Sequence, residues 1–326
     1  MVSYNIREFF LEFNEPFSIA HGTRTGTDII ILELKHDDLV AYGEASLPPY
    51  LAENKASVTS FINQFFSTFS WSPLLSECLH QLHNSMPGNY AAKACIDIAF
   101  HNLFALKAGV PLWKMLGLSD HPLPPCTYTI GMGTPEIIRK KVMAADGFSI
   151  LKVKLGGGND KEIIEAIRSV SSLPLCVDVN QGWKNVQEAK EMIDWLSDKN
   201  VLFVEQPLPK TEIEGQKYLF QHSALPVIAD EFVQIPEDVQ KVRGLFHGIN
   251  IKLMKCGGLA PALKMAALAK EMGLLLLIGS MTETSCGIRA AAQLSVLANW
   301  VDLDGPLLTK NNPFPPVTYR SGVLLP

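Results

Sequence analysis

The chain is short of charge, of paired cysteines and of long apolar runs, and each shortage removes a class of protein. None of its six cysteines (Cys78, Cys95, Cys126, Cys176, Cys256, Cys286) shares a CxxC spacing with another. Scattered thiols of this kind read as reduced and mostly buried in a cytoplasmic protein, not as a disulfide or zinc framework. The longest apolar stretch near the C-terminus, Leu274 to Ile278, falls far short of the roughly 20 residues a membrane helix needs. MVSYNIREFF has no basic segment followed by an apolar run, so no secretory leader is expected. Charged residues are only 19% of the chain, and the net charge is −5 with no basic stripe, which speaks against a nucleic-acid partner. What is plentiful is apolar residue: 47% of 326 positions, enough for one barrel and a smaller unit beside it.

Against that background a few charged residues recur almost regularly. Lys152 and Lys154 lie in SILKVKLG, Asp178 in LCVDVNQGW, Glu205 in LFVEQPL, Asp230 in VIADE and Lys252 in NIKLMKCGG; successive steps from Lys152 are 26, 27, 25 and 22 residues. Each ends a short apolar run that reads as a buried strand, and the step matches one βα unit. In a (β/α)₈ barrel the C-terminal strand ends converge on one mouth, where such folds keep their chemistry.

Strand candidates at 126–130, 149–155, 175–179, 201–205, 226–230, 248–253, 274–280 and 299–303 alternate with helical segments. This alternation predicts a closed parallel barrel, with a doubly wound open sheet as the alternative. Asn159 with Glu162, and Asn185 with Glu188, have the spacing of capping boxes; Ile163, Ile167 and Val170 form an apolar stripe after the first. Earlier in the chain, strands at 4–13, 28–34 and 40–44 precede helices at 56–69 and 91–106, which suggests an α+β unit. Gly117, Pro122, Pro124 and Pro125 mark its end. The expected organisation is an α+β capping domain over residues 1–118, a barrel over 119–310, and a tail, 311–326, that rejoins the cap.

In a strand, residues i and i+2 face the same way, so Lys152 and Lys154 point together into the mouth. Two neighbouring ammonium groups disfavour each other's charge, which lowers a lysine pKa toward a useful range for a base. Asp178, Glu205 and Asp230 come from three successive strands and offer only oxygen, a donor set suited to Mg²⁺ or Mn²⁺ and not to zinc. Each acid read alone could instead be a helix N-cap. Lys252 on the sixth strand faces Lys154 on the second. Two bases so opposed can take a proton from one face of a carbon and return it to the other, with a metal stabilising the enolate between. Lys255, three residues on, reads as structural or solvated.

The ordered set KVK, DVNQGW, VEQP, ADE and NIKLMKCGG resembles the enolase superfamily, and within it the muconate-lactonizing subgroup, over essentially the whole chain. The resemblance implies a modified (β/α)₇β barrel under an N-terminal cap. It also implies Lys154 and Lys252 as the acid/base pair, Asp178, Glu205 and Asp230 as Mg²⁺ ligands, and Lys152 as a neighbour that lowers their pKa and contacts the substrate carboxylate. Asn180 and Glu231 would support the ligands. Phe232 stands where the family often has a small hydroxyl residue, a departure expected to reshape the pocket.

In NWVDLDGP, Asp302 and Asp304 face one way by period 2 and make a doubly negative clamp. It resembles the DxD with which dipeptide epimerases hold an α-ammonium group. Similarity to L-Ala-D/L-Glu epimerases extends to Thr129 in YTIG, to Ser280, Met281 and Thr282 in GSMTE, and to Arg24 in HGTRTGT. By that resemblance His21 to Thr27 is a flexible loop folding over the mouth, with Arg24 pairing the glutamate side-chain carboxylate. The implied protein is a Mg²⁺-dependent dipeptide epimerase acting on small peptides. A cycloisomerase or o-succinylbenzoate synthase would share its lysines and metal ligands. A barrel that has lost catalysis and only binds is the reading outside enzymes. The exact dipeptide and the oligomeric state, a homo-oligomer included, are left open.

Overall fold

The computed structural model describes residues 2–19, 22–120 and 123–325. Of the positions singled out above, His21 and Pro122 lie outside them. The chain opens with an antiparallel sheet, β1 (Val2–Ile19), β2 (Gly22–His36) and β3 (Leu39–Leu47), in the order β1-β2-β3. Against it pack α1 (Lys55–Thr68), α2 (Leu75–His83) and α3 (Tyr90–Ala108). Their shared core joins Ile30, Leu32 and Leu34 of β2 to Phe61, Ile62 and Phe65 of α1 and to Ile96, Phe100 and Leu103 of α3. Contact is closest at Gly43: a Cβ there would lie 1.9 Å from the Cys95 carbonyl oxygen, so no side chain fits between β3 and α3. A short helix, α4 (Leu112–Met115), ends this unit.

The barrel follows as β4 (Tyr128–Ile130), α5 (Pro135–Ala144), β5 (Leu151–Lys154), α6 (Asp160–Arg168), β6 (Leu175–Asp178), α7 (Val186–Ser197), β7 (Val201–Glu205), α8 (Ile213–His222) and β8 (Val227–Ala229). It is completed by β9 (Gly248–Lys252), α9 (Leu253–Cys256), α10 (Leu259–Glu271), β10 (Leu275–Gly279), α11 (Ser285–Ala292) and β11 (Trp300–Asp302). All eight strands are parallel and ordered β4 to β11. A parallel bridge between Cys126 and Val301 brings the last strand back to the first. The expected cap and TIM-like barrel are both present, and the open-sheet alternative is set aside.

Alternation along the strands divides the barrel into two chemistries. Outward residues such as Leu151, Val153, Val177, Val204, Ile249 and Ile251 pack against Ile163, Ile167, Ile193 and Met265 of the helices. Inward residues Ile150, Cys176, Phe203, Ile228 and Leu277 form a separate apolar plug. The next inward positions, two residues on, are Lys152, Asp178, Glu205, Asp230 and Gly279. The charged mouth therefore rests on a dry, filled floor, as period 2 requires.

Several local expectations need correction. The segment expected as a flexible loop from residue 21 to Thr27 is, from Gly22 on, part of β2, paired with β1 as Ile19–Gly22, Ser18–Thr23 and Phe17–Arg24. Asn159 makes no side-chain cap; Asp160 takes over the turn, accepting from Gly156 N and Gly157 N and from Trp183 Nε1. Its longer reach back to the glycine loop outcompetes a local box. Asn185 does cap α7, through Gln187 N and Glu188 N. α6 ends at Arg168, so Val170 lies beyond its stripe and is exposed. α2 had no expected counterpart. After Asn311, which bonds the backbone of Phe10 and Glu12, the tail forms the hairpin β12 (Thr318–Arg320) and β13 (Val323–Leu325), and Gly322 O accepts from Cys126 N. All six cysteines are buried and unpaired. Among the described residues no helix is long and apolar enough to cross a membrane.

Candidate active site

Register alone brings the recurring charges into one layer. Lys154 pairs with Asp178 across β5–β6, and Asp178 with Glu205 across β6–β7. On the other side Lys252 pairs with Gly279, and Gly279 with Asp302. Thr129 pairs with Lys152. Asp230 follows β8 directly. Thr129, Lys152, Lys154, Asp230, Lys252 and Asp302, with Arg24, Asn180, Glu231, Ser280, Met281, Thr282 and Asp304, line one cavity of about 370 Å³ between cap and barrel, while Asp178 and Glu205 are fully buried against Lys152.

Lys152 Nζ lies 2.6 Å from Asp302 Oδ2, 2.7 Å from Glu205 Oε2 and 3.1 Å from Asp178 Oδ2. Lys154 Nζ approaches the same Asp178 oxygen to 2.6 Å and donates to Asn180 Oδ1. Lys252 Nζ is 2.7 Å from Asp230 Oδ2. The two lysines of KVK thus converge, but the electrostatics of Lys152 differ from expectation. Burial by itself would lower the Lys152 pKa; Asp178, Asp302 and Glu205 outweigh it and hold the ammonium well above its ordinary range. Lys252 is likewise raised despite burial, by Asp230 and Glu205. Carboxylates dominate here, not the neighbouring ammonium, because three of them touch Lys152 directly. Lys255 is buried rather than solvated, and donates to Asp230 Oδ1 (2.5 Å) and to the carbonyls of Asp230, Val233 and Asn250.

Sequence reasoning passed over three positioning groups. Asn250 Nδ2 donates to Glu205 Oε1 at 2.6 Å; it stands two residues before Lys252, so period 2 was the available signal. It fits because Gly279 on the neighbouring strand has no side chain: a Cβ there would lie 2.6 Å from Asn250 Oδ1. Gln206, next to Glu205, accepts from Asp230 N and Phe232 N and so ties two strand ends together. Asn180, Gln181 and Gln206 all have positive φ, which concentrates backbone strain where the carboxylates emerge. The third group, Tyr50, follows two prolines in the cap and has no sequence signal. Phe232 packs beside Phe246, with ring centres 5.2 Å apart and the planes tilted, and is not among the residues that line the cavity.

At the strand-eight end, Asp302 accepts from Thr127 Oγ1 and Lys152, and Asp304 from Thr129 N and Thr129 Oγ1. Burial raises both carboxyls, but Lys152 and Lys154 bring Asp302 below its ordinary value. Asp304 is pushed up to about 7 by burial and by Asp302. The second charge of this acid pair is therefore the harder one to hold.

Among the described residues no three acidic, histidine or cysteine side chains are gathered tightly enough to hold an ion as they stand; lysine ammoniums lie among them. The donor set nevertheless fits a hard cation. Glu231 Oε2 is buried without a hydrogen-bond partner, and Glu205 Oε2 has only its ion contact to Lys152. Burial and the other acids push Glu231 up to about 8, and burial with Asp178 raises Glu205. Asp178, Glu205, Asp230 and Asp302 are each paired with lysine ammonium groups, while among the described residues Glu231 and Asp304 have no lysine partner. A divalent cation would be held there by the oxygens of Asp178, Glu205 and Asp230.

Comparison with known proteins identifies the family. Residues 3–117 match the mandelate racemase/muconate lactonizing enzyme N-terminal domain, and residues 138–304 the enolase C-terminal domain-like family. The chain is 44% identical over 314 residues to L-Ala-D/L-Glu epimerase of Bacteroides thetaiotaomicron, covering 96% of this chain and 82% of that protein. The substrate-liganded L-Ala-D/L-Glu epimerase of Bacillus subtilis superposes with a TM-score of 0.92 at 30% identity, covering 99% and 95% of the two chains. A dipeptide epimerase of Enterococcus faecalis, complexed with Mg and L-Leu-L-Tyr, superposes with a TM-score of 0.89 at 31% identity and 98% and 95% coverage. The chain belongs to the enolase superfamily, in its mandelate racemase/muconate-lactonizing subgroup, and is an isomerase of the racemase and epimerase kind.

Proposed function

We propose that this protein is a Mg²⁺-dependent dipeptide epimerase that inverts the α-carbon of the C-terminal residue, with L-Ala-D/L-Glu as its substrate. The observation that carries the reading is the arrangement around one cavity: Lys154 and Lys252 on the second and sixth of eight strands, an acid pair at the eighth, and Arg24 on the cap. Asp302 and Asp304 would receive the substrate's ammonium group. Lys154 would take the α-proton from one face as a free amine, its C–H bonding pair passing into the adjacent carboxylate, and Lys252 as an ammonium would return a proton to the other face. The reverse reaction exchanges these roles. A cation held by Asp178, Glu205 and Asp230 supplies electrostatic stabilisation of the charge that builds on that carboxylate. Lys152 would hold the carboxylate from the barrel interior, and Asn250 and Gln206 keep Glu205 and Asp230 in place. Thr129, Ser280, Met281 and Thr282 would shape the walls.

Arg24 supports a glutamate side chain. It has no carboxylate partner among the described residues, and its Nη1 is buried without a hydrogen-bond acceptor. A guanidinium edge in that state suits bidentate pairing with a carboxylate. The relative with L-Leu-L-Tyr bound makes the side-chain class the part most worth testing. Incubating the enzyme and Mg²⁺ with a dipeptide panel in D₂O, read by mass for deuterium uptake and by polarimetry for inversion, tests both levels. Turnover of dipeptides with Ala-Glu foremost is expected. Inversion of apolar dipeptides in preference to Ala-Glu would overturn the substrate, and no exchange with any dipeptide would overturn the reaction.

A further inference from the structure

Arg24 is oriented by aromatic faces. Its guanidinium carbon lies 5.7 Å from the ring centre of Phe13 in β1 and 5.6 Å from that of Tyr50. A guanidinium over an aromatic face is attracted by the ring, and such a contact does not require its N–H donors. A carboxylate partner would have consumed those donors; here Nη1 stays buried and unpaired. Tyr50 itself is 54% exposed, so filling a core does not explain its ring. It sits in a turn closed by Leu51 N donating to Pro48 O, and its hydroxyl donates to Met281 Sδ at 3.2 Å. Met281 belongs to the loop after β10, so Tyr50 reaches from the cap across the mouth to the barrel wall.

We propose that Tyr50, with Phe13, is a specificity-determining positioning residue: it holds the Arg24 edge toward the cavity so that a side-chain carboxylate on the substrate is recognised. The inference rests on the reading of Ala-Glu as substrate. Tyr50 acts through Arg24 and does not take part in the proton transfers. Its ring is the part that matters for Arg24, and its hydroxyl serves to anchor the ring on Met281.

The test compares kcat/KM for L-Ala-L-Glu and L-Ala-L-Gln in wild type, Tyr50→Phe, Tyr50→Leu and Arg24→Met. Wild type is expected to favour Ala-Glu by about tenfold or more, the scale of a charge-assisted hydrogen bond that only the acid can make. Tyr50→Phe keeps the ring and should keep the preference. Tyr50→Leu should reduce it severalfold, with the greater loss on Ala-Glu, and Arg24→Met should erase it. A Tyr50→Leu enzyme that keeps the wild-type ratio, or loses both substrates equally, overturns the aromatic clamp while the Ala-Glu reading stands. A wild type without preference for Ala-Glu overturns that reading, and the clamp with it.

Discussion

Asp304 shows how much one residue's surroundings decide. Its carboxyl is pushed up to about 7 by burial and by Asp302, and it is steadied by the Thr129 amide and hydroxyl. If, as proposed, a substrate ammonium binds there, it must find the carboxyl ionised or draw its proton off. For a substrate with a free amine, kcat/KM is expected to fall as pH drops through about 7, and Asp304→Asn to lose that limb along with most activity; a pH series on both proteins reads this. Acetylating the dipeptide's amine should cost at least about tenfold in kcat/KM, since a charge-assisted bond contributes about 1.5–3 kcal/mol. Asp304→Asn should harm the acetylated peptide much less than the free one. Equal losses would mean that the pair holds something other than an amine. The positions of Lys152, Lys154, Lys252 and the acids were legible because period 2 and a repeating strand length are written in the sequence. Their ionisation was not, because three carboxylates meeting Lys152 depend on strands up to 150 residues apart.

Between elements, the cap is fastened to the barrel by acids that cap barrel helices. Asp97 of α3 accepts from Leu259 N and Ala260 N at the start of α10, and Glu44 of β3 from Thr284 N, Thr284 Oγ1 and Gly287 N at the start of α11. A carboxylate is favoured at a helix N-terminus. His101 and His83 lie 3.0 and 2.9 Å from Asp97; they overcome its burial and keep it down to about 2. Asp97→Ala should cost about 3–5 kcal/mol of stability, the usual effect of breaking a buried charge pair, measurable by denaturant titration. Glu44 is the opposite case. Burial pushes it up to about 7 against the pull of its Thr284 and Gly287 donors, and Glu283 is raised well above its ordinary value by burial and by Glu44. Cys95, Cys286 and, across the mouth, Lys252 are the other ionisable groups that sense this pair.

A raised carboxyl favours the protonated fold, so its contribution is present below pH 4.5 and is lost as pH climbs through about 7. Between pH 5 and 8 the wild type should lose more Tm than Glu283→Gln, in which a neutral amide replaces one acid. Neither latch could be read in advance, because each joins residues more than 160 positions apart. The hairpin arm around Arg24 escaped notice for a related reason. Thr23, Arg24 and Gly26 carry no apolar alternation, and only pairing with Ser18, Phe17 and Glu12 of β1 makes them a strand.

At the scale of the whole molecule, an apolar floor and register place four lysines and six acids at one mouth, and the cap closes over it with Arg24 and Tyr50. The all-oxygen donor set of Asp178, Glu205 and Asp230 predicts Mg²⁺ binding measurable by calorimetry without turnover. Asp178→Asn, Glu205→Gln and Asp230→Asn should each weaken that binding, and a chelator should abolish activity in the wild type. The central claim is that Lys154 and Lys252 serve opposite faces of one carbon. Its most direct test is α-proton exchange in D₂O with Lys154→Ala and Lys252→Ala, each given L-Ala-L-Glu and L-Ala-D-Glu separately, with Mg²⁺ present and deuterium read by mass. Both variants should fail to epimerise, and each should exchange the proton of one isomer only, the two variants choosing opposite isomers. Racemisation at the wild-type rate by either variant, or exchange of the same isomer by both, would contradict it.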